Sequence, residues 1–264
     1  MRIRDSHRIA RPELVERPQM DCVVVTYNSA ADLRGFADCK PMLDAFERVI
    51  VVDNGSTDDS IEIAREAGFD IIQRDTNDGY AAAANVGIRA ATGPFVALLN
   101  PDIRVDDSTL FDHLESHFDD ARVAVAAPAL VLPDGSLQDS ARSVPRPHEL
   151  AWRRWAQAEH GMIRSDRPTN VPWVVGACLV IRRTAFNAVN GFDPSYPLYF
   201  EDVDFCVRLG EAGWSTVFDP TIAALHFHRG DSRRSLFGPS TRRHARSAAR
   251  FYYQHPRYIL GLSA

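Results

Sequence analysis

The chain has 264 residues, 45% of them hydrophobic and 25% charged, and its formal net charge is −5. That is ordinary globular composition, long enough for one large domain or two small ones whose core needs no covalent or metal staple. It leaves no global electrostatic case for a nucleic-acid partner.

Residues 1–19 are polar and arginine-rich, lack the apolar stretch of a signal peptide, and read as an arm of a cytoplasmic protein. DCVVVTYN at 21–28 predicts a buried strand ending on Thr26, Tyr27 and Asn28. SAADLRGFADCKPML at 29–43 has helical spacing, with Ser29 placed as the N-cap. RVIVVDNGSTDDS at 48–60 predicts a second buried strand ending at Asp53. TDDSIEIAREAG at 57–68 predicts a helix with acids in its first turn and Gly68 beyond its end. FDIIQRD at 69–75 is a third strand, and DGYAAAANVGIRAATG at 78–93 a helix stopped by Gly93. In PFVALLNPD at 94–102 a fourth strand stops abruptly on Asn100, Pro101 and Asp102.

After residue 105 the rhythm changes. DSTLFDHLESHFDD at 107–120 is a helix, VAVAAPALVL at 123–132 a strand, and PDGS at 133–136 a hairpin turn. An irregular stretch follows over 139–171. WVVGACLVIRRTAFNAVNGFD at 173–193 predicts a strand and a short helix. FEDVDFCVRLGEAGW at 200–214 predicts a helix opening on acids and closing at Gly213. STVFDPTIAALHFH at 215–228 is strand material, and GPSTRRHARSAARFYYQHP at 238–256 a basic helix ended by Pro256.

Strand–helix alternation over the first hundred residues implies an α/β fold with a mostly parallel central sheet flanked by helices. Ligands of such sheets sit at the carboxyl ends of the strands. Here those ends carry Thr26-Tyr27-Asn28, Asp53-Asn54 and Asn100-Pro101-Asp102. The first turn has no glycine-rich cradle and no phosphate-binding loop motif occurs, which excludes a Rossmann dehydrogenase and a P-loop enzyme. Asp102 meets phosphates without repulsion only through a divalent cation, a hard ion that prefers oxygen ligands. Taken singly, these acids have plainer uses: Asp102 and Asp53 as turn residues, Glu201 and Asp202 as acids suiting a helix N-terminus. Trp173 and Trp214 suit a core more than a sugar platform.

Cys22, Cys39, Cys178 and Cys206 show no metal or redox spacing and read as free thiols of a reducing compartment. The longest apolar runs are too short to span a bilayer. From Arg229 onward, arginines far outnumber the single acid Asp231. Arg242, Arg243, Arg246 and Arg250 recur at roughly helical spacing and are followed by Phe251, Tyr252 and Tyr253, groups suited to an anionic membrane interface.

Four segments in order, VVVTYNSAADL, VVDNGSTDDS, NDGYAAAANVGIRAATGPFVALLNPDIRV and GACLVIRRTAFNAVNGFDPSYPLYFEDVDFCVRLGEAGW, resemble the family 2 glycosyltransferases, most of all their rhamnosyltransferase branch. The resemblance implies the GT-A fold over 20–228. A nucleotide-sugar half (20–105) would be fused to an acceptor half (106–228), with 1–19 as an arm and 229–264 as a basic helical segment. It implies inverting transfer from a nucleotide-diphosphate sugar, aided by Mg²⁺ or Mn²⁺. Residue by residue, it places Asp53 on the nucleotide ring, Thr26 and Asn28 around the nucleoside, and Asn77, Gly79 and Asn85 in the donor segment. Asn100 and Asp102 stand where the family has Asp-x-Asp, with Asn100 removing one charge from the metal site. Asp202 is the expected general base beside Glu201, and His226, or else His228, the expected second metal ligand. Gly176, Trp173, Asp204, Arg242 and Arg246 are candidates for the acceptor. The resemblance favours dTDP-L-rhamnose as donor and a glycan or polyprenyl-diphosphate-linked acceptor at the inner membrane face. A UDP-sugar donor is the alternative, as is an inactive sugar-binding module.

Overall fold

The computed structural model describes residues 20–107, 109–148, 162–196, 198–227 and 239–259. The arm 1–19, His228 and the stretch 229–238 lie outside the described residues. In chain order the first half holds β1 (Asp21–Thr26), α1 (Ala30–Ala37), α2 (Lys40–Leu43), β2 (Arg48–Asp53), α3 (Ser60–Glu66), β3 (Asp70–Gln73), α4 (Tyr80–Ala90), β4 (Phe95–Leu99) and β5 (Ile103–Arg104). Then come α5 (Leu110–Ser116), β6 (Val123–Val131), β7 (Leu137–Gln138), β8 (Ala141–Arg142), β9 (Thr169–Asn170), β10 (Trp173–Val174) and β11 (Cys178–Arg182). Last come α6 (Arg183–Ala188), α7 (Glu201–Glu211), β12 (Ser215–His226) and α8 (Pro239–Gln254).

The main sheet runs β3-β2-β1-β4-β11-β6-β12-β5. Its first four strands are parallel, as the alternation predicts. The second half is mixed: β11 is antiparallel to both β4 and β6, and β12 runs parallel to β6 but antiparallel to β5. That antiparallel seam positions the site. Because β11 runs against β4, its start, Cys178, pairs with Leu99 at the end of β4. Gly176 and Ala177 therefore arrive beside Asn100, whose N–H donates to Ala177 O at 2.9 Å.

The strands read as continuous apolar runs because helices cover both faces. Alternate residues of β1 divide between two cores. Val23 and Val25 pack with α4, α7 and Phe251 of α8, and Cys22 and Val24 with Leu33 and Phe36 of α1 and Phe111 of α5. Gly87 lets α4 lie close on the sheet, since a Cβ there would collide with Val23 and Val52. Phe251 and Tyr252 are buried in the first core, so two of the three aromatics expected at a membrane interface anchor α8 to the domain instead.

Two helix ends differ from expectation. Ser29 does not cap α1; its hydroxyl donates to Tyr27 O, while Asp58 Oδ2 accepts the Ala30 N–H at 2.9 Å and Ser60 Oγ the Ser29 N–H at 3.0 Å. A cap supplied from a neighbouring segment cannot be seen in local spacing. Helix α4 ends at Ala90, short of Gly93, because the Thr92 N–H turns to Asp21 Oδ2 at 2.8 Å.

Candidate active site

The carboxyl ends of β1, β2 and β4 form one rim. Asn28 follows β1 in a left-handed conformation (φ 51°) and its side chain accepts from the Thr57 N–H at 2.8 Å. Asp53 is buried; Oδ1 accepts from the Thr26 hydroxyl at 3.1 Å and Oδ2 from the Ser56 N–H at 2.9 Å. Below this rim Asn54 donates to Asn77 Oδ1 at 2.8 Å, and the same oxygen accepts the Gly79 N–H at 3.0 Å. Arg74, just past β3, donates to Asn54 Oδ1 and pairs with Asp78 at 2.7 Å.

Asp102 and His226 are brought together by strand pairing. His226, last in β12, pairs with Ile103 of β5, and the Phe227 N–H donates to Asp102 O at 2.9 Å. His226 Nε2 then lies 3.3 Å from Asp102 Oδ1, while Nδ1 lies 2.6 Å from Gln138 Oε1. In the tautomer whose Nδ1–H donates to that amide oxygen, the Nε2 lone pair turns toward the carboxylate. In that tautomer a nitrogen and a carboxylate oxygen face each other with the far ring nitrogen held by a hydrogen bond, a pair that could serve a divalent cation. Among the described residues no group of three His, Cys, Asp or Glu side chains is placed to hold a metal. Two protein groups still fit a cation of the Mg²⁺ type, which keeps waters and takes further oxygens from substrate phosphates.

Glu201 and Asp202 open α7. The two residues before them, Tyr199 and Phe200, are both left-handed (φ 65° and 69°). Such backbone costs on the order of 1–3 kcal/mol per residue and persists only where packing enforces it; here Phe200 is buried against Phe251 and Tyr252. Asp202 Oδ2 accepts the Gly176 N–H at 3.1 Å and Oδ1 the Val203 N–H at 2.8 Å. Burial raises the Asp202 carboxyl, and those N–H groups pull it back. Burial, then the adjacent charge of Asp202, push Glu201 up to about 8. Glu201 Oε2 is buried without a hydrogen-bond partner among the described residues. Of two neighbouring carboxyls, the one holding N–H donors takes the charge and the other the proton. Asp202 is thus the carboxylate, and a proton acceptor, while Glu201 is the neutral acid.

Residues 21–189 match the family described as Glycosyl transferase family 2. The chain is a family 2 glycosyltransferase. It is 33% identical over 238 residues to an N-acetylglucosaminyl-diphospho-decaprenol L-rhamnosyltransferase of Mycobacterium tuberculosis, covering 80% of this chain and 76% of that one. It is 28% identical over 177 residues to rhamnosyltransferase WbbL of Escherichia coli, covering 62% of this chain and 63% of that one. The fold resembles GalNAc-T7 solved with UDP, GalNAc and Mn²⁺, with a TM-score of 0.63 at 15% identity, over 93% of this chain and 52% of that chain. The expected GT-A fold is the fold of the glycosyltransferase.

Several site residues expected from the sequence make contacts that hold the glycosyltransferase together. Thr26 is buried with its hydroxyl spent on Asp53. The Asn85 side chain bonds Phe192 O and N–H at 2.8 and 2.9 Å, pinning α4 to the loop after α6. Asp204 is buried among Arg208 at 2.7 Å, His255 at 2.9 Å and Tyr196 at 3.3 Å, an anchor for the end of α8. Asn85 and Asp204 both line a cavity of about 680 Å³ behind α7 that Asp102 and Asp202 do not share. Trp173 is buried in the core and its indole N–H donates to Ser143 O at 3.0 Å. Arg242 and Arg246 lie exposed on α8.

Arg74, Gln138 and Tyr80 join the site only in the structure. Arg74 was findable, because the strand-end rule applied to β3 points straight at it. Gln138 and Tyr80 act through partners 88 and 96 positions away, which local spacing does not reveal.

Proposed function

We propose that this glycosyltransferase moves L-rhamnose from dTDP-L-rhamnose, with inversion, onto a hydroxyl of a polyprenyl-diphosphate-linked sugar or glycan in cell-envelope polysaccharide synthesis. The observation that carries the chemistry is the pairing of one oriented carboxylate, Asp202, with one metal-type donor pair, Asp102 and His226. The rhamnosyl preference is supported by the two relatives named above.

Single displacement needs one base on the face opposite the leaving group and no covalent nucleophile. Asp202 accepts the proton of the attacking hydroxyl. Neutral Glu201 leaves that charge unopposed and has a proton to donate to a sugar oxygen. Asp102 and His226 would hold Mg²⁺ or Mn²⁺, which supplies Lewis-acid stabilisation to the departing diphosphate. The nucleoside sits over the ends of β1 and β2, with Asn28 at the surface and Asp53 fixing the Ser56 turn beneath. Thermal unfolding with dTDP-L-rhamnose, UDP-sugars and GDP-sugars, each with Mg²⁺ or Mn²⁺, tests the donor. The largest upward shift is expected with dTDP-L-rhamnose; stabilisation by a UDP-sugar alone gives the donor site to that sugar.

The lipid-linked acceptor implies a membrane surface, and α8 has the charge for it. Arg242, Arg243 and Arg246 are exposed, Tyr253 is 86% exposed, and Arg250 is already paired with Asp193 at 3.1 Å. No described helix is long and apolar enough to cross a membrane. Basic side chains at an anionic surface contribute about 1 kcal/mol each and fade with salt. Wild type is expected to sediment with phosphatidylserine vesicles at low salt, and the triple Arg242→Gln, Arg243→Gln, Arg246→Gln variant to remain in solution. Equal sedimentation of both proteins removes α8 from this role.

A further inference from the structure

The segment Val175–Gly176–Ala177 is held from four directions. The Val175 N–H donates to Ser140 O at 2.8 Å, and the Asn100 N–H donates to Ala177 O at 2.9 Å. The Gly176 N–H donates to Asp202 Oδ2 at 3.1 Å, and Gly176 O accepts the Tyr80 hydroxyl at 3.2 Å. Three of these anchors come from the segment before β8, the turn after β4 and the start of α7. The fourth, Tyr80, comes from the donor half. It is the first residue of α4, set by the left-handed Gly79 (φ 95°) and by the loop in which Asn77 binds both Asn54 and the Gly79 N–H.

We propose that Tyr80 is a positioning residue for the base: its hydroxyl fixes the carbonyl side of Gly176 and so aims the Gly176 N–H that orients Asp202. The inference rests on Asp202 being the base. The two peptide planes meeting at Gly176 are joined through the softest backbone in the repertoire, so the N–H keeps its direction only when the carbonyl plane beside it is held as well. Gly176 also lies against the base itself; a Cβ there would stand 3.4 Å from Asp202 Cβ. A small rotation at Gly176 therefore changes the direction of the N–H bond to Asp202. Tyr80 keeps its proton at working pH, because burial first, and then the negative charge of the acids around it, Asp202 and Asp102 included, raise it. It remains a donor, and the nearness of Glu201, Asp202 and Asp102 marks its hydroxyl as lying among the site's acids. Since α4 begins where the Asn77 loop ends, the bond ties the donor-side loop to the acceptor-side base.

Tyr80→Phe removes only the hydroxyl. One hydrogen bond of this kind is worth a factor of about three to ten in kcat. The N–H bond lowers the Asp202 pKa, so loosening it moves the acid limb of the kcat–pH profile upward by about a few tenths of a unit. The donor KM is expected to stay within about twofold of wild type. Site-specific 3-fluorotyrosine at position 80 keeps the shape and strengthens the donor, and is expected to move the limb the opposite way. An unmoved kcat and acid limb in Tyr80→Phe, whatever happens to its melting temperature, overturns the proposal. So does a change confined to KM, which would make Tyr80 a substrate contact. If Asp202→Asn retains turnover, the base assignment fails and Tyr80 falls with it. If Asp202→Asn is inactive while Tyr80→Phe matches wild type in kcat and limb, only Tyr80 fails.

Discussion

Asp202→Asn is expected to lower kcat by about 10²- to 10⁴-fold, the usual contribution of a positioned base, while donor affinity stays near wild type. The amide has the shape of the carboxylate but cannot accept the hydroxyl proton. It also puts an NH₂ or a carbonyl where Gly176 and Val203 now present N–H groups, so one of those two bonds is kept at most in altered form. The loss corresponds to about 3–5 kcal/mol of transition-state stabilisation. Turnover measured beside donor affinity by calorimetry separates the two effects. Near-normal turnover in the variant takes the role of base away from Asp202. A loss of donor affinity as large as the loss of kcat would make Asp202 a binding group.

Asp102→Ala is expected to reduce metal-dependent affinity for the nucleotide diphosphate by at least about a hundredfold, since even outer-shell partners of metal ligands cost 10- to 100-fold. Asn100 already supplies no charge, so Asp102 is the one carboxylate of the Asn100-Pro101-Asp102 turn. Its loss leaves His226 facing the site alone. The nucleoside, which lacks phosphates, is expected to bind the variant and wild type equally. Titration of Mn²⁺ into each protein with dTDP present checks this. Superimposable curves would place the metal elsewhere.

Much of the candidate rim was legible because it sits where periodicity stops. The buried runs ending at Thr26, Asp53 and Leu99 are strands in the structure, and their ends share one edge of the sheet. The acids at the start of α7 were legible from the pattern only as a helix opening on acids; the resemblance to the family is what singled out Asp202 as a base. Side-chain direction was not legible. Thr26 and Asp53 stand at the expected rim yet bond each other below it, and Asn85 and Asp204 face the back of the domain. A hydrogen bond between residues 27 or 107 positions apart leaves no trace in local spacing. The antiparallel seam between β4 and β11 was equally invisible, because strand direction depends on how the chain returns across 139–171. That seam is what delivers Gly176 to Asn100 and Asp202. The fate of α8 followed from burial: its basic spacing was plain, but only packing reveals that Phe251 and Tyr252 face inward and Tyr253 outward.

Inverting transfer by a single carboxylate base is tested most directly by the anomeric configuration of the product. The wild-type protein, with Mg²⁺ or Mn²⁺, dTDP-L-rhamnose and a polyprenyl-diphosphate-linked N-acetylglucosamine, is expected to yield a rhamnoside whose configuration is opposite to that of the donor. The one-bond carbon–hydrogen coupling at the anomeric centre reads it out. A product that retains the donor's configuration, formed by wild type and lost in Asp202→Asn, would require a covalent or front-face route and contradict Asp202 as the base of a single displacement.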